Sequence, residues 1–321
     1  MRAVYARSQS AEDPLSGLVV GELPRPQAPE GWRRVRVKAS ALNHHDLFSL
    51  RGVGLPSERL PMVLGCDAAG IDDDGNEVIV HAVIPSADWL GDETMDPRRS
   101  LLSEVYPGTM ADEVLVPARN LLPKPTELDF TTAACLPTSW LTAYRMLFTV
   151  NPAAPGSTVL VQGSGGGVAS ALIAMAAAAG YRVWATGRTE AKREHARSQG
   201  AAAVFEPGAR LPERVDTVFD SVGQATWAHS LKSLRPGGAV VTCGATSGPN
   251  PPADLNRVFF LQLRVLGSTM GTREEFGRML QFLVATGIRP QLDSVLPLEQ
   301  ARDGFAKMAA GEVAGKIVFT H

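Results

Sequence analysis

The sequence contains few cysteines and no excess of either charge, and each shortage excludes a class of protein. Cys66, Cys135 and Cys243 are the only 3 cysteines, so neither a disulfide framework nor a paired-cysteine zinc motif can form, and a reducing compartment is expected. The formal net charge is -2, and the chain has no dense basic run. We therefore predict that the protein binds neither nucleic acid nor an anionic membrane surface.

Long apolar runs are also absent. The most apolar stretch is VASALIAMAAAAG at 168–180, which is shorter than the roughly 18 residues that a membrane span needs. The N-terminal MRAVYARSQSAEDP lacks the apolar segment of a signal peptide, so we expect a soluble, cytoplasmic protein. A length of 321 residues, with 45% hydrophobic and 20% charged residues, favours two globular domains.

Two kinds of sequence pattern divide the chain. Up to about residue 120, β-rich runs such as RRVRVKASAL and DEVLVPA alternate with turn-forming loops, which predicts an all-β module. Beyond that point a helical stretch is predicted over 126–148, and strands such as STVLVQG and YRVWATG then alternate with helices. That alternation predicts a doubly wound parallel sheet with right-handed crossovers.

The strongest chemical signal is the run VLVQGSGGGVASA, in which a strand enters a glycine-rich turn and a helix begins at once. Gly163 and Gly165–Gly167 leave the backbone open to a phosphate, and the helix start offers free N–H groups. Ala169 lets the helix lie close to the sheet. The strand–turn–helix–strand context favours a dinucleotide pyrophosphate over a merely tight turn, and the missing GxxxxGK[ST] motif argues against an NTPase.

The end of the next strand indicates which coenzyme is preferred. About twenty residues after the glycine turn, NAD enzymes carry an acid for the ribose diol. Here Gly187 holds that position, followed by Arg188, Thr189 and Lys192. These cationic and hydroxyl groups would bind a 2′-phosphate that an acid would repel. We therefore predict NADP(H); the alternative is that Arg188 and Lys192 belong to a solvated helix start.

With these motifs the sequence resembles the medium-chain dehydrogenase/reductase superfamily over nearly its whole length. It is most similar to the zinc-independent quinone-oxidoreductase-like and enoyl-reductase-like branch. The segments that carry the resemblance are VKASALNHHDLFSLRG, LPMVLGCDAAG, AACLPTSWLTAYRML, VLVQGSGGGVASA, LRPGGAVVTCGATSG, RVLGSTMGT and GKIVF.

The resemblance implies an α/β protein with two domains. A GroES-like β-rich catalytic domain would comprise residues 1–120 and 288–321, and a Rossmann dinucleotide-binding domain would comprise residues 121–287. It also implies a homodimer or homotetramer that often pairs through the strand RVLGSTM.

The resemblance implies coenzyme contacts as well. Carried over by position, they are Ser164, Gly166, Gly167 and Val168 around the pyrophosphate, Gly187, Arg188, Thr189 and Lys192 around the 2′-phosphate, Val222, Cys243, Gly244, Ala245, Thr246, Ser268 and Met270 along the dinucleotide, and Asn43, Thr142 and Lys316 near the nicotinamide half.

The segments NHHDL at 43–47 and GCD at 65–67 contain histidine, cysteine and aspartate, which can bind metals, but not in the arrangement that zinc needs. In zinc-dependent relatives they read Cys-His-Thr/Ser-Asp-Leu and Gly-His-Glu, so the ligand positions here are Asn43, Cys66 and a third near Thr138. Asn and Thr are poor zinc ligands. The segment matching the structural zinc site contains no cysteine. We predict no bound metal.

Two adjacent histidines do not restore the site, because neighbouring side chains diverge on a strand or a helix. A site made of Cys66, His45 and Asp67 stays open as an alternative. The simplest expectation for His44 is a packing or surface role. His45 lies where the zinc enzymes keep a proton-relay hydroxyl, and its imidazole could protonate an enolate near neutral pH.

Without a Lewis acid, reversible alcohol oxidation is disfavoured. A conjugated acceptor needs less help, because its own carbonyl delocalises the charge left by hydride attack. We therefore predict an NADPH-dependent reductase of small quinones or α,β-unsaturated carbonyl compounds, with His45 and Asn43 as candidate catalytic donors. The alternatives are a zinc-type alcohol or aldehyde dehydrogenase and a non-catalytic NADPH-binding protein.

Overall fold

The structure is a computed structural model that describes all residues from 1 to 321. Its strands are β1 (Arg2–Ala6), β2 (Leu18–Glu22), β3 (Trp32–Ala41), β4 (Met62–Val63), β5 (Asp67–Asp72), β6 (Glu77–Val80), β7 (Val83–Ile84), β8 (Ser100–Leu101), β9 (Glu113–Pro117), β10 (Leu121–Pro123), β11 (Thr158–Gln162), β12 (Arg182–Thr186), β13 (Ala203–Phe205), β14 (Val215–Asp220), β15 (Leu234–Thr242), β16 (Arg264–Gly267), β17 (Leu292–Pro297) and β18 (Lys316–Thr320). Its α-helices are α1 (His44–Leu50), α2 (Phe130–Ala134), α3 (Leu141–Tyr144), α4 (Gly167–Ala178), α5 (Glu190–Ser198), α6 (Gln224–Ser233), α7 (Leu255–Phe260), α8 (Arg273–Thr286) and α9 (Ala301–Ala309).

The first of two structural units is β-rich and comprises residues 1–139, 271–285 and 289–321. Its largest sheet has the order β10-β6-β5-β3-β18-β17, with β9 also paired to β3. The last strand, β18, lies antiparallel to β3, with Val318 opposite Ala41. A core that includes Leu47, Leu50 and Phe319 packs α1 against this part of the sheet. The C-terminal strand therefore lies beside the start of α1.

The second unit comprises residues 140–270 and 286–288. Its six-stranded sheet has the order β13-β12-β11-β14-β15-β16, and every pair of neighbouring strands is parallel. All residues of β11 are buried, because helices cover such sheets on both faces. The strand order reverses direction at β11 and β14, and ligands of these sheets bind at the carboxyl ends of the strands beside such a reversal.

The predicted fold class is confirmed: the protein combines a GroES-like β-rich part with a Rossmann-type parallel sheet. The run DDDGN at 72–76 joins the antiparallel strands β5 and β6. No helix combines the length and the apolar character that crossing a bilayer requires.

Two details differ from the sequence predictions. The stretch 126–148 is not one continuous α-helix; it contains α2, α3 and π-helical turns at Leu136–Trp140 and Arg145–Val150. Pro137 lacks the N–H that a regular helix would use here, and π turns arise where that ladder is interrupted.

The boundaries of the two units also differ from the domain boundaries predicted near residues 120 and 288. Residues 121–139 and most of α8 belong to the first unit. There His81 Nε2 lies 2.9 Å from the Gly271 carbonyl oxygen, and the His81 ring is 6.2 Å from that of Phe276. These buried contacts attach the start of α8 to the β-rich unit.

Candidate active site

The glycine turn of the second unit lies between β11 and α4. Gly163 has a φ of 81°, a left-handed conformation that favours glycine, and its N–H donates to Thr186 Oγ1 at 2.9 Å. Gly166 precedes the first residue of α4, and no side chain caps that helix. A Cβ added at Gly166 would meet no atom within 4 Å. The helix start is therefore open and fits a pyrophosphate.

Ser164 has a different role from its glycine neighbours. Its side chain is buried, and its hydroxyl donates to the Lys192 carbonyl oxygen at 2.8 Å. Ser170 Oγ lies 3.4 Å from the Ser164 carbonyl oxygen. The Ser164 side chain thus connects the turn to α5, whereas Gly167 and Val168 begin α4 beside the open space.

The corner after β12 has room for an anion but not for an acidic side chain. A Cβ at Gly187 would approach Arg193 Cγ and Ser164 Oγ to 2.9 Å. Thr189 caps α5 by accepting a hydrogen bond from Lys192 N. Burial and the neighbouring Arg188 charge both lower the pKa of Lys192. The Arg188 and Lys192 charges repel one another, and a bound anion such as a 2′-phosphate would offset that repulsion.

Arg193 is the third cation of this corner and supports the loop around it. It pairs with Glu190 at 2.8 Å and donates to the Gly187 carbonyl oxygen at 2.9 Å. Arg193 therefore supports the loop, while Arg188 is exposed.

Other predicted coenzyme residues follow the carboxyl ends of β15 and β16. They line an open groove of about 460 Å³, whose walls include Cys243, Gly244, Ala245 and Ser268. The Ser268 hydroxyl is buried without a hydrogen-bond partner, which marks an unfilled polar position. Burial raises the pKa of Cys243 to about 12, so its thiol stays neutral. The groove fits a neutral, partly polar ligand group.

The remaining residues of this unit that were predicted to contact the coenzyme lie in three places. Val222 lies beside the glycine turn, 3.7 Å from the position of a Gly163 Cβ. Thr246 is exposed after β15. Thr142 and Met270 come together, with Thr142 Oγ1 3.8 Å from Met270 Sδ.

In the first unit, Asn43 and Lys316 form a buried polar cluster with Asp67. Lys316 Nζ donates to Asn43 Oδ1 at 2.8 Å and to Asp67 Oδ2 at 3.1 Å. Asn43 Nδ2 donates to Asp67 Oδ2 at 2.9 Å. All three side chains are buried, and Asp67 Oδ1 has no partner. The structure thus brings together two of the residues predicted near the nicotinamide, around a carboxylate that carries the opposite charge to Lys316.

His45 lies on the first turn of α1, between two groups. Its Nε2 is 3.0 Å from Glu104 Oε1, and its Nδ1 is 3.5 Å from Cys66 Sγ. Burial lowers the pKa of His45, but the Cys66 sulfur and the Glu104 and Asp46 carboxylates outweigh it, so this pKa lies well above its ordinary value. Burial raises the pKa of Cys66 despite the nearby His45. His45 is therefore suited to donate a proton.

Sequence reasoning missed Glu104. It lies in the loop between β8 and β9, where no motif is readable, 59 residues along the chain from His45. Only the folded structure brings the two side chains together.

The residues at the zinc-ligand positions do not fit a tetrahedral zinc site. Asn43 Oδ1 already accepts a hydrogen bond from the Lys316 ammonium, which would repel a metal cation. Cys66 Sγ donates to the Leu102 carbonyl oxygen at 3.1 Å, and Thr138 offers only a buried hydroxyl. No group of three His, Cys, Asp or Glu side chains has a metal-binding arrangement. The alternative set of Cys66, His45 and Asp67 is likewise not assembled.

Two family models match the chain. Residues 29–126 match the alcohol dehydrogenase GroES-like domain, and residues 167–285 match the zinc-binding dehydrogenase family. The second match excludes the positions 43, 66 and 138, so its name carries no information about zinc at these residues.

Whole-chain relatives have several activities. A solved structure of an NAD-dependent alcohol dehydrogenase is 33% identical, with both chains covered completely and a TM-score of 0.91. An alcohol dehydrogenase of Geobacillus stearothermophilus is 28% identical over 94% of this chain and 95% of its own. A crotonyl-CoA reductase of Streptomyces avermitilis is 27% identical over 90% of this chain and 78% of its own.

The open space at Gly166 generates a test of the glycine turn. Gly166→Ala should leave the melting temperature nearly unchanged, because its methyl group meets no protein atom. The same methyl group should weaken dinucleotide binding at least tenfold by obstructing the approach of a pyrophosphate. Titration calorimetry with NADPH measures this. Gly277→Ala, also in open space but on α8, is the control, and unchanged affinity in Gly166→Ala would contradict the assignment.

Proposed function

The chain belongs to the medium-chain dehydrogenase/reductase superfamily, and we propose that it is an NADPH-dependent oxidoreductase that reduces α,β-unsaturated carbonyl compounds without zinc, enoyl thioesters first among them. The observation that carries the proposal is the contact between His45 and Glu104, beside positions that do not fit zinc. A relative that is a crotonyl-CoA reductase supports the substrate class.

The corner after β12 supports NADPH over NADH. A relative of known structure is NAD-dependent, so the fold alone does not determine the choice. Here the ribose-binding acid is replaced by Gly187, which lies against Ser164 and Arg193. Arg188 and Lys192 supply positive charge at the same corner, where a 2′-phosphate would be bound.

NADPH, when bound, supplies a hydride to the β carbon of the conjugated acceptor. The α carbon of the resulting enolate then needs a proton. We assign that proton to His45, whose ring is held by Glu104. Both Asn43 amide N–H groups have acceptors, Asp67 Oδ2 at 2.9 Å and the Ala41 carbonyl oxygen at 3.4 Å. We therefore propose that Asn43 mainly positions Lys316, and that it reaches substrate only by releasing one of these bonds.

The proposal is tested by NADPH oxidation with a panel of substrates. Short and medium enoyl-CoA thioesters, simple enones and quinones should be compared at equal concentration with primary and secondary alcohols plus NADP. We expect the highest kcat/KM among the conjugated acceptors, because they need no Lewis acid. Higher turnover of alcohols would favour the alcohol dehydrogenase alternative, and tight NADPH binding without any turnover would favour a binding protein.

The coenzyme preference is tested at Arg188. Arg188→Gln should raise the KM for NADPH about tenfold and leave that for NADH unchanged, because one charged hydrogen bond to the 2′-phosphate is lost. Arg197→Gln is the matched control, since Arg197 lies on α5, the helix that follows Arg188, and pairs with Glu190 and Glu194. A lower KM for NADH than for NADPH in the unaltered protein would refute the preference.

Zinc independence is tested by metal analysis and chelation. The purified protein should contain far less than stoichiometric zinc, and prolonged EDTA treatment should leave turnover unchanged, because Asn43, Cys66 and Thr138 offer no pair of strong zinc ligands. Stoichiometric zinc whose removal abolishes activity would instead support the dehydrogenase alternative.

A further inference from the structure

The structure assigns Glu104 the role of a positioning residue that holds the His45 imidazolium ready for proton donation, and we propose that the two act as one unit. This inference deepens the proposed reductase function and rests on it. Glu104 need not touch the substrate, because it acts through the His45 ring.

The hydrogen-bond pattern around His45 indicates its protonation state. A thiol has one proton, and if that of Cys66 is directed to the Leu102 carbonyl oxygen, 3.1 Å from the sulfur, it cannot also serve His45. Toward His45 Nδ1, at 3.5 Å, the sulfur can then only accept. The Glu104 carboxylate, 3.0 Å from Nε2, is also an acceptor. In this arrangement both ring nitrogens act as donors, which only the imidazolium can do.

Glu104 is itself held in place. Its Oε2 accepts a hydrogen bond from the Leu101 N–H at 3.2 Å, while Oε1 faces His45. The preceding Ser103 has a φ of 68°, an uncommon conformation for a residue with a side chain, and such residues concentrate at functional sites. The Ser103 N–H donates to the Tyr106 carbonyl oxygen at 2.9 Å. The turn is thus fixed in the conformation that presents Glu104 to α1.

The other charged groups facing His45 do not replace Glu104. Asp46, on the same helix, accepts hydrogen bonds from the backbone N–H groups of Asn43 and Gly65. Cys66 is fully buried and donates elsewhere. Glu104 is the one carboxylate in direct contact with the ring, and its side chain is 23% exposed. That exposure lets protons return from solvent to His45 after each turnover.

The decisive experiment compares Glu104→Gln with the unaltered protein. The amide keeps the size of the side chain and removes its charge, so the His45 imidazolium loses its stabilising partner. We expect the His45 titration, followed by NMR of 15N-labelled NADPH-bound protein, to move to lower pH. The basic limb of the kcat profile should move with it, and kcat at pH 8 should fall about tenfold, while the KM for NADPH stays constant.

Two further variants keep the test interpretable. Glu104→Asp retains the charge and should restore part of the shift, which a purely structural role would not do. Asp88→Asn, in the preceding loop between β7 and β8, removes a carboxylate that pairs with Arg98, and it should leave both the His45 titration and kcat unchanged. The melting temperature of each variant verifies folding.

The outcomes separate this inference from the proposed function. An unchanged His45 titration in folded Glu104→Gln would overturn the inference, as would a shifted titration with an unchanged kcat profile. Because the titration needs no substrate, it still tests the pair if the substrate panel shows no turnover. In that case a shifted titration would uphold the pairing and refute only its use in reduction.

Discussion

A buried ion pair between Lys316 and Asp67 is the interaction on which the first unit depends. Asp67 is completely buried and Lys316 is 3% exposed, and charges at that depth persist only when they are paired and hydrogen-bonded. Removing either partner would leave an unpaired buried charge, at a cost of ~3–5 kcal/mol. The pair connects β18, the last strand of the chain, to β5, and through Asn43 it reaches the start of α1.

The orientation of the His45 side chain depends on this cluster. Asn43, the residue before α1, bonds to the ion pair through its side chain, and its N–H donates to the Asp46 carboxylate at 2.9 Å. Burial raises the pKa of Asp46 to about 6, although two backbone N–H groups oppose it. His45 lies between these two anchored residues, so its ring faces Glu104 and Cys66 at little further entropic cost. The buried charges therefore orient the partly buried His45 side chain, although Lys316 and Asp67 do not touch it directly.

Local signals in the sequence were enough to predict the second unit. The glycine turn, its flanking strand and helix and the Gly187 corner are all encoded within a few neighbouring residues, because tight turns and helix starts depend on local conformation. The contacts of the first unit are not local. Glu104 lies 59 residues from His45, and Lys316 lies 249 residues from Asp67. Residue type gives no indication of such partners, since a loop glutamate or a strand lysine is most often solvated.

Charge balance connects two features of the proposed function, the absence of zinc and the presence of a proton donor. In the zinc-dependent relatives, two thiolates cancel the charge of the ion. Here the same positions hold a neutral amide at Asn43, a neutral hydroxyl at Thr138 and, at Cys66, a thiol that burial keeps protonated. Of these three side chains only Cys66 could become an anion on binding a metal, so a divalent ion would find less compensation than in those relatives, and the Lys316 ammonium would repel it. In the proposed function no metal holds an alkoxide here, and the charge that forms during hydride transfer is neutralised by a proton instead. A reaction whose substrate carries that charge on its own carbonyl, and accepts a proton at the neighbouring carbon, matches what His45 and Glu104 can supply.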